Sequence, residues 1–430
     1  MPLIYYLNFD QQTNKTERPN NWIAIGSLLL ALCVMLTLGC QKTDETINED
    51  TLQVGLLLPL SGAAASAGES ARAGATLAMQ DVNDFLASGE SGLSVEFTIK
   101  DTGADPETAL QQLKELAGEG ARFVIGPYSS ADAAATVDYA NQEGVILLSP
   151  SSVASSLAIA DDNLFRLVPS DGNQAAAVTA LFDYDGIETI IPVLRDDVWG
   201  DGLIDDVSQL LGQEGKTLFT PIKYDPSNVN SADIAGQVAS AINQALQQSP
   251  ASEVAVYLLS FGEGASILSA AAQETDCALV KWYGSSAFAN NADLINDPVA
   301  AQFAMQQGFR CPSFAPDPSA AELWEPIQQQ LVSQLGRAPE VFALTSYDAV
   351  WLITEAYRNS PATPSAQSFR AALEQAAQYH YGITGRTAFD PAGDRKYAYF
   401  NFWGLSETGA GYKWEALGHY DNASGQLVID

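Results

Sequence analysis

Short, almost wholly apolar runs return along this chain at intervals, each closed by small polar residues and followed by a stretch with helical spacing. No other feature limits the possible folds as much. Residues 53–60 (QVGLLLPL) stop at Ser61-Gly62, and residues 70–85 then place Ala71, Ala75, Leu77, Ala78, Val82 and Phe85 near a helical period. Further strand-like runs follow at 94–100 (SVEFTIK), 122–126 (RFVIG) and 144–148 (GVILL). The second half repeats the pattern at 189–194 (TIIPVL), 217–222 (TLFTPI), 254–259 (VAVYLL) and 279–283 (LVKWY). Asp105-Pro106-Glu107 opens a helix, with Asp as cap and Pro in the first turn. Strands that read as continuous apolar runs belong to parallel sheets covered on both faces. Two such series with a seam near residues 169–173 predict an α/β chain of two similar doubly wound lobes.

Ligands of open parallel sheets sit in the crevice beyond the carboxyl ends of the strands. Here those ends carry Ser61 to Gly68, Gly126-Pro127-Tyr128-Ser129-Ser130, Ser149-Pro150-Ser151-Ser152-Val153 and Gly284-Ser285-Ser286. Small side chains expose backbone N–H groups, hydroxyls add donors, and helix N-termini favour negative charge, which together suit a small polar ligand. The same serines also read as ordinary helix caps.

Charge and motifs exclude several classes. The chain has 52 acidic against 20 basic residues, a formal net charge of −32, so phosphate backbones and anionic lipid surfaces repel it and nucleic acid is not an expected partner. Its two histidines, His380 and His419, do not support His-based catalysis, a metal site or a cofactor. No G-x-S-x-G, P-loop or complete G-x-G-x-x-G occurs, and Gly262-Glu263-Gly264 and Gly200-Asp201-Gly202 are fragments only. The site reads as one that binds and does not react.

The N-terminus reads as an address. Residues 22–39 form an uncharged apolar run behind Lys15 and Arg18, ending in Leu36-Thr37-Leu38-Gly39-Cys40 before an acidic stretch. This resembles a bacterial lipoprotein signal, which implies cleavage before Cys40 and a lipid on its thiol. An uncleaved membrane anchor is the other reading of the same run. Either places the body outside the cytoplasm, tethered to a membrane, and Gln41 favours an outer membrane over an inner one. Of four cysteines, Cys33 leaves with the signal and Cys40 is lipidated, so Cys277 and Cys311 are expected to pair as a disulfide, with a metal site as the alternative.

A run of motifs then resembles the type I periplasmic solute-binding proteins, in the leucine/isoleucine/valine-binding branch that serves ATP-binding-cassette importers. They are Leu58-Pro59-Leu60-Ser61-Gly62, Gly74-Ala75-Thr76-Leu77-Ala78, Phe123 to Ser130, and Leu148 to Ser152. Phe165 to Asp171, Trp199-Gly200-Asp201-Gly202, Tyr347-Asp348-Ala349-Val350 and Gly385 to Asp390 continue the series. The resemblance implies lobe one at 52–172 plus 314–385 and lobe two at 173–313 plus 386–430, hinged and closing on a ligand. The signal takes 1–39, and an acidic linker takes 40–51. It also implies a pocket: Tyr128, Ser129 and Ser130 for a ligand carboxylate, Ser151, Ser152 and Val153 as the second loop, and Trp199 as the aromatic of the second lobe. Ser260 or Phe261 takes a second aromatic position. The acid that pairs with a ligand ammonium falls at Ser285 or Ser286 and is therefore missing, leaving Glu263, Asp348 or another carboxylate to replace it. The implied function is a lipid-anchored binding protein handing an amino acid, amide or short carboxylic acid to a membrane permease. The alternative is an outer-membrane lipoprotein that uses the same fold to activate cell-wall synthesis.

Overall fold

A computed structural model describes residues 50–430 except 63, 90, 91, 362–364 and 410. The expected signal, Cys40 and the linker as far as residue 49 lie outside them, and residues 50 and 51 already belong to the first strand. The first lobe opens with β1 (Asp50–Leu58), α1 (Ala65–Ser88), β2 (Leu93–Asp101), α2 (Pro106–Gly118) and β3 (Phe123–Ile125). It continues with α3 (Ser130–Glu143), β4 (Ile146–Ser149) and β5 (Leu164–Arg166). The second lobe follows with α4 (Asp171–Asp185), β6 (Thr189–Arg195), α5 (Val198–Glu214), β7 (Thr217–Leu218) and β8 (Ile222–Tyr224). Then come α6 (Ser231–Ala245), β9 (Val254–Leu259), α7 (Gly264–Ala271), β10 (Lys281–Gly284), α8 (Pro298–Gln306) and β11 (Cys311–Ala315). The chain returns through α9 (Ala321–Leu335), α10 (Phe342–Arg358) and α11 (Ala366–Tyr379) to the hairpin β12 (Tyr381–Gly382) and β13 (Gly385–Arg386). It ends in β14 (Tyr399–Thr408), β15 (Gly411–Asp421) and β16 (Gln426–Ile429).

The first sheet runs β2-β1-β3-β4-β5, all parallel. Alternate residues of one strand face opposite cores, as the pleat requires. Leu56 joins Phe123 and Ile146 beneath α1, α10 and α11, while Leu57 joins Val124 and Leu147 beneath α2 and α3. The α1 face is built from Gly68, Ala71, Gly74, Ala75 and Ala78. A Cβ at Gly74 would collide with the Ala343 carbonyl, so the small residues are what allow α10 to lie against α1. At α2, Asp105 accepts the Thr108 amide at 2.8 Å with Pro106 in the first turn, as its sequence predicts.

The second sheet is β10-β9-β6, with β7 and β8 both pairing on the far edge of β6. The single strand expected at 217–222 is therefore two. Ile190 accepts the Phe219 amide at 2.9 Å, so its polar groups face that edge, and two residues on Pro192 faces it too. Proline has no N–H to offer there, and the ladder breaks between Ile190 and Val193. The segment 219–221, with its own Pro221, bridges the gap.

The C-terminal strands form an antiparallel sheet, β11-β14-β15-β16, beside the second sheet, which Arg310 joins by a bridge to Tyr283. Phe400, Phe402 and Tyr420 share a core with α4, β6 and β9. Phe389 and Asp394, which the boundary at 385 assigns to lobe two, pack instead on Phe165 and Arg166 of the first.

Three segments cross between the lobes, at 167–170, 315–318 and 395–398. Arg395 ties two of them together and flanks the other: it donates to Leu167 O at 3.1 Å, to Thr384 O at 2.7 Å and to Tyr397 O at 3.0 Å, and lies 5.2 Å from the ring centre of Phe314, just before segment 315–318.

The expected disulfide is corrected. Cys277 and Cys311 are free, buried thiols in one apolar cluster. The Cys277 Sγ is turned to the Ala235 carbonyl at 3.9 Å, whereas Cys311 fills the space above Gly284, so each thiol already has its own packing partner.

Candidate functional site

The loops after β3 and β4 are brought together and knit by their own hydroxyls. Ser149 donates to Pro127 O and Ser151 to Tyr128 O, each at 2.6 Å. Ser130 Oγ accepts the Val153 and Ala154 amides at 3.3 and 3.2 Å and lies 3.0 Å from Ser152 Oγ. With both lone pairs of Ser130 engaged, its hydrogen goes to Ser152, which leaves the Ser152 hydroxyl hydrogen free for a ligand. Ser129 is a helix cap: it accepts the Asp132 amide at 3.0 Å at the start of α3. Tyr128 packs edge-on against Phe342 at 5.8 Å, and burial together with Glu340 holds its phenol well above the usual range.

The second lobe presents a different surface. Trp199, in the first turn of α5 behind the Asp197 cap, lies 5.1 Å from the Phe261 ring. Arg195 sits 4.1 Å above that ring, held by Asp197 at 2.8 Å and Glu263 at 2.7 Å. Glu263 also accepts from Tyr224 and the Phe261 amide, so it is not available as the missing counter-charge. Asp348 is not available either, because its buried carboxylate holds the Ile383 and Thr384 amides. Ser260 is buried behind this wall, and its carbonyl receives the Ser285 hydroxyl.

The acid lies elsewhere. Asp171 begins α4 and is 1% exposed. Its Oδ1 accepts from Gln174 Nε2 at 2.9 Å, and its Oδ2 has no partner. The Gln174 carbonyl oxygen in turn receives the Ser286 amide, so one glutamine side chain joins Asp171 to the position where the acid was expected. Burial, reinforced by Asp206, pushes the Asp171 carboxyl up to about 8, while Arg166, Gln174 and the Trp199 indole work against the rise. The lobes touch around it. The Asp171 amide donates to Val153 O at 2.7 Å, and Ser155 of lobe one binds Asp206 of α5 and accepts the Gly172 amide at 3.1 Å.

The structure thus gathers Tyr128, Ser129, Ser130, Ser151, Ser152 and Val153 on one side and Trp199 and Phe261 on the other, with Ser260 fully buried behind them. Val153 and Trp199 both pack against the same apolar cluster. Sequence reasoning passed over Asp171 because it sits at a lobe seam. The available signal was an Asp in a first helical turn with Gln three residues on. No group of three or more metal-ligating side chains occurs among the described residues.

The family described as periplasmic binding protein matches residues 51–402, most of the chain. The chain belongs to the periplasmic binding protein family. As a periplasmic binding protein of the leucine/isoleucine/valine-binding type it comes from a family of solute-binding proteins, not an enzyme class, whose place of work is outside the cytoplasm. It is 24% identical to an uncharacterised protein of Methanocaldococcus jannaschii over 95% of this chain and 99% of that one. It is also 28% identical to the leucine-, isoleucine-, valine-, threonine- and alanine-binding protein of Pseudomonas aeruginosa, over 39% of this chain and 44% of that protein. A solute-binding protein of Rhodopseudomonas palustris, solved with 3,4-dihydroxybenzoic acid, shares the fold: TM-score 0.68 at 19% identity, over 86% of this chain and 98% of that one.

Proposed function

We propose that this protein is the lipid-anchored binding component of an ATP-binding-cassette importer, carrying a small α-amino acid or its amide to a membrane permease. The observation that carries the ligand class is the unpartnered Oδ2 of buried Asp171 beside Ser286. A buried carboxylate is stable as an ion only with a partner, and a ligand ammonium supplies one. The ligand carboxylate is then placed on the Ser130–Ser152 loops, and its side chain against Trp199 and Phe261. Closure follows from ligand contacts with both walls, which favour the closed state by their difference from the open one.

A second reading rests on the Arg195–Phe261–Trp199 stack, which suits an aromatic acid of the kind bound by the Rhodopseudomonas protein. The deciding experiment is native mass spectrometry and calorimetry of the soluble form beginning after Cys40, with amino acids, their amides and benzoates as probes. Binding of an ammonium-bearing probe that releases a proton supports the first reading, and binding of benzoates alone supports the second. A cleft that takes none rejects both in favour of a lipoprotein acting on cell-wall synthesis. Anchoring is tested separately: Cys40→Ser removes the lipid and frees the protein from the membrane fraction.

A further inference from the structure

Away from the cleft, a cavity of about 290 Å³ opens on the hinge itself. Its wall takes residues from two of the three lobe-crossing segments, including Ala315, Arg395 and Tyr397, and from the β12–β13 hairpin that Arg395 ties to them. Arg395 is 3% exposed, and among the described residues no carboxylate pairs with it. Its Nε, both Nη1 hydrogens and one Nη2 hydrogen go to neutral oxygens: Tyr397 O, Leu167 O, Thr384 Oγ1 and Thr384 O. A guanidinium has five N–H donors, so one Nη2 hydrogen is uncommitted. Burial lowers the Arg395 pKa to about 10 against the opposing pull of Asp348 and Asp317, neither of which reaches it as an ion pair.

The mouth is basic as well. Arg386 and Lys396 lie 5.4 and 5.6 Å from the Tyr397 ring centre. Arg386 and Arg395 line the cavity and Lys396 lies next to the lining Arg395 and Tyr397, so three of the chain's 20 basic residues fall within eleven positions of a protein with net charge −32. Asp317 and Asp421 also line it, which limits the negative charge a guest can bring.

We propose that this cavity is a second ligand site, for a small organic monocarboxylate. The carboxylate takes the free Nη2–H of Arg395 and the Arg386 guanidinium, and the body lies along Tyr399. The occupant touches two of the crossings directly and is tied to the third through Arg395, which donates to Leu167 O, so it stiffens the hinge from outside the cleft. A guest here sets how readily the lobes open without touching the transported solute.

The probe is acetate, with chloride at equal ionic strength as control, read by hydrogen–deuterium exchange of segments 167–170, 315–318 and 395–398. At a concentration about ten times its Kd, acetate slows their exchange about tenfold. The protection disappears in Arg386→Ala/Lys396→Ala, whose side chains are exposed and whose fold is checked by circular dichroism, and it persists in the cleft variant Trp199→Ala. Protection unchanged in the double variant, lost in Trp199→Ala, or absent altogether overturns the proposal and leaves Arg395 a purely structural staple.

Discussion

The two walls of the cleft solve the same problem with opposite chemistry. Lobe one offers neutral hydroxyls and amides that satisfy one another before any ligand arrives: Ser130 serves Val153, Ala154 and Ser152, and Ser151 serves Tyr128. Lobe two offers aromatic rings and full charges, with Arg195 already neutralised by Asp197 and Glu263. One wall is preorganised by hydrogen bonds and the other by stacking and ion pairs. Neither leaves a charge over. The unspent polar group is the Asp171 carboxyl, at the seam between them, whose Oδ2 has no hydrogen-bond partner.

That contrast breaks most sharply at the seam. Asp171→Asn keeps the shape and removes the charge, so affinity for an amino acid is expected to fall by at least ~100-fold, the scale of deleting one partner of a buried pair. Calorimetry measures it. The pH dependence follows from the same group. A cationic ligand binds the ionised carboxyl, so wild-type affinity climbs as pH rises towards about 8 and then levels, with one proton released on binding below that pH. Stability of the empty protein runs the other way: the folded state keeps a proton that the unfolded chain gives up near pH 4, so this group's contribution declines between about 4 and 8. Asp171→Asn flattens both curves.

The aromatic wall comes next. Trp199→Ala removes the ring that stacks on Phe261 and is expected to weaken binding by about 10- to 100-fold, in dissociation rate more than association rate. The hydroxyl wall divides more finely. Ser130→Ala strands the Val153 and Ala154 amides and costs about 1–3 kcal/mol of stability, seen as a lower unfolding midpoint in denaturant. Ser152→Ala removes a free donor and the acceptor of the Ser130 hydrogen but strands no amide, so it lowers affinity by about fivefold and shifts the midpoint less than Ser130→Ala does. If Ser152→Ala proves the more destabilising, the hydrogen-bond direction assigned to this pair is reversed.

Much of this was legible before any coordinates. Strand periodicity gave the sheets because fully buried parallel strands leave an unbroken apolar signature, as at residues 254–259. The loop serines were legible because turn chemistry is local. What was hidden depends on long-range placement. The split of β7 from β8 is caused by Pro192, on a neighbouring strand some 25 residues earlier. Leu164–Arg166 is too short to carry a period, and the C-terminal antiparallel sheet follows a region of mixed composition. Asp171 becomes a site residue only through Gln174 and Ser286, more than a hundred positions away.

The two unpaired thiols carry a consequence for the life of the protein. Burial pushes Cys277 up to about 12 and holds Cys311 well above its normal value, so at neutral pH both are overwhelmingly thiols. Thiolate is the form that attacks disulfides and oxidants. The folded body therefore keeps both thiols in their less reactive, protonated form and shielded from solvent.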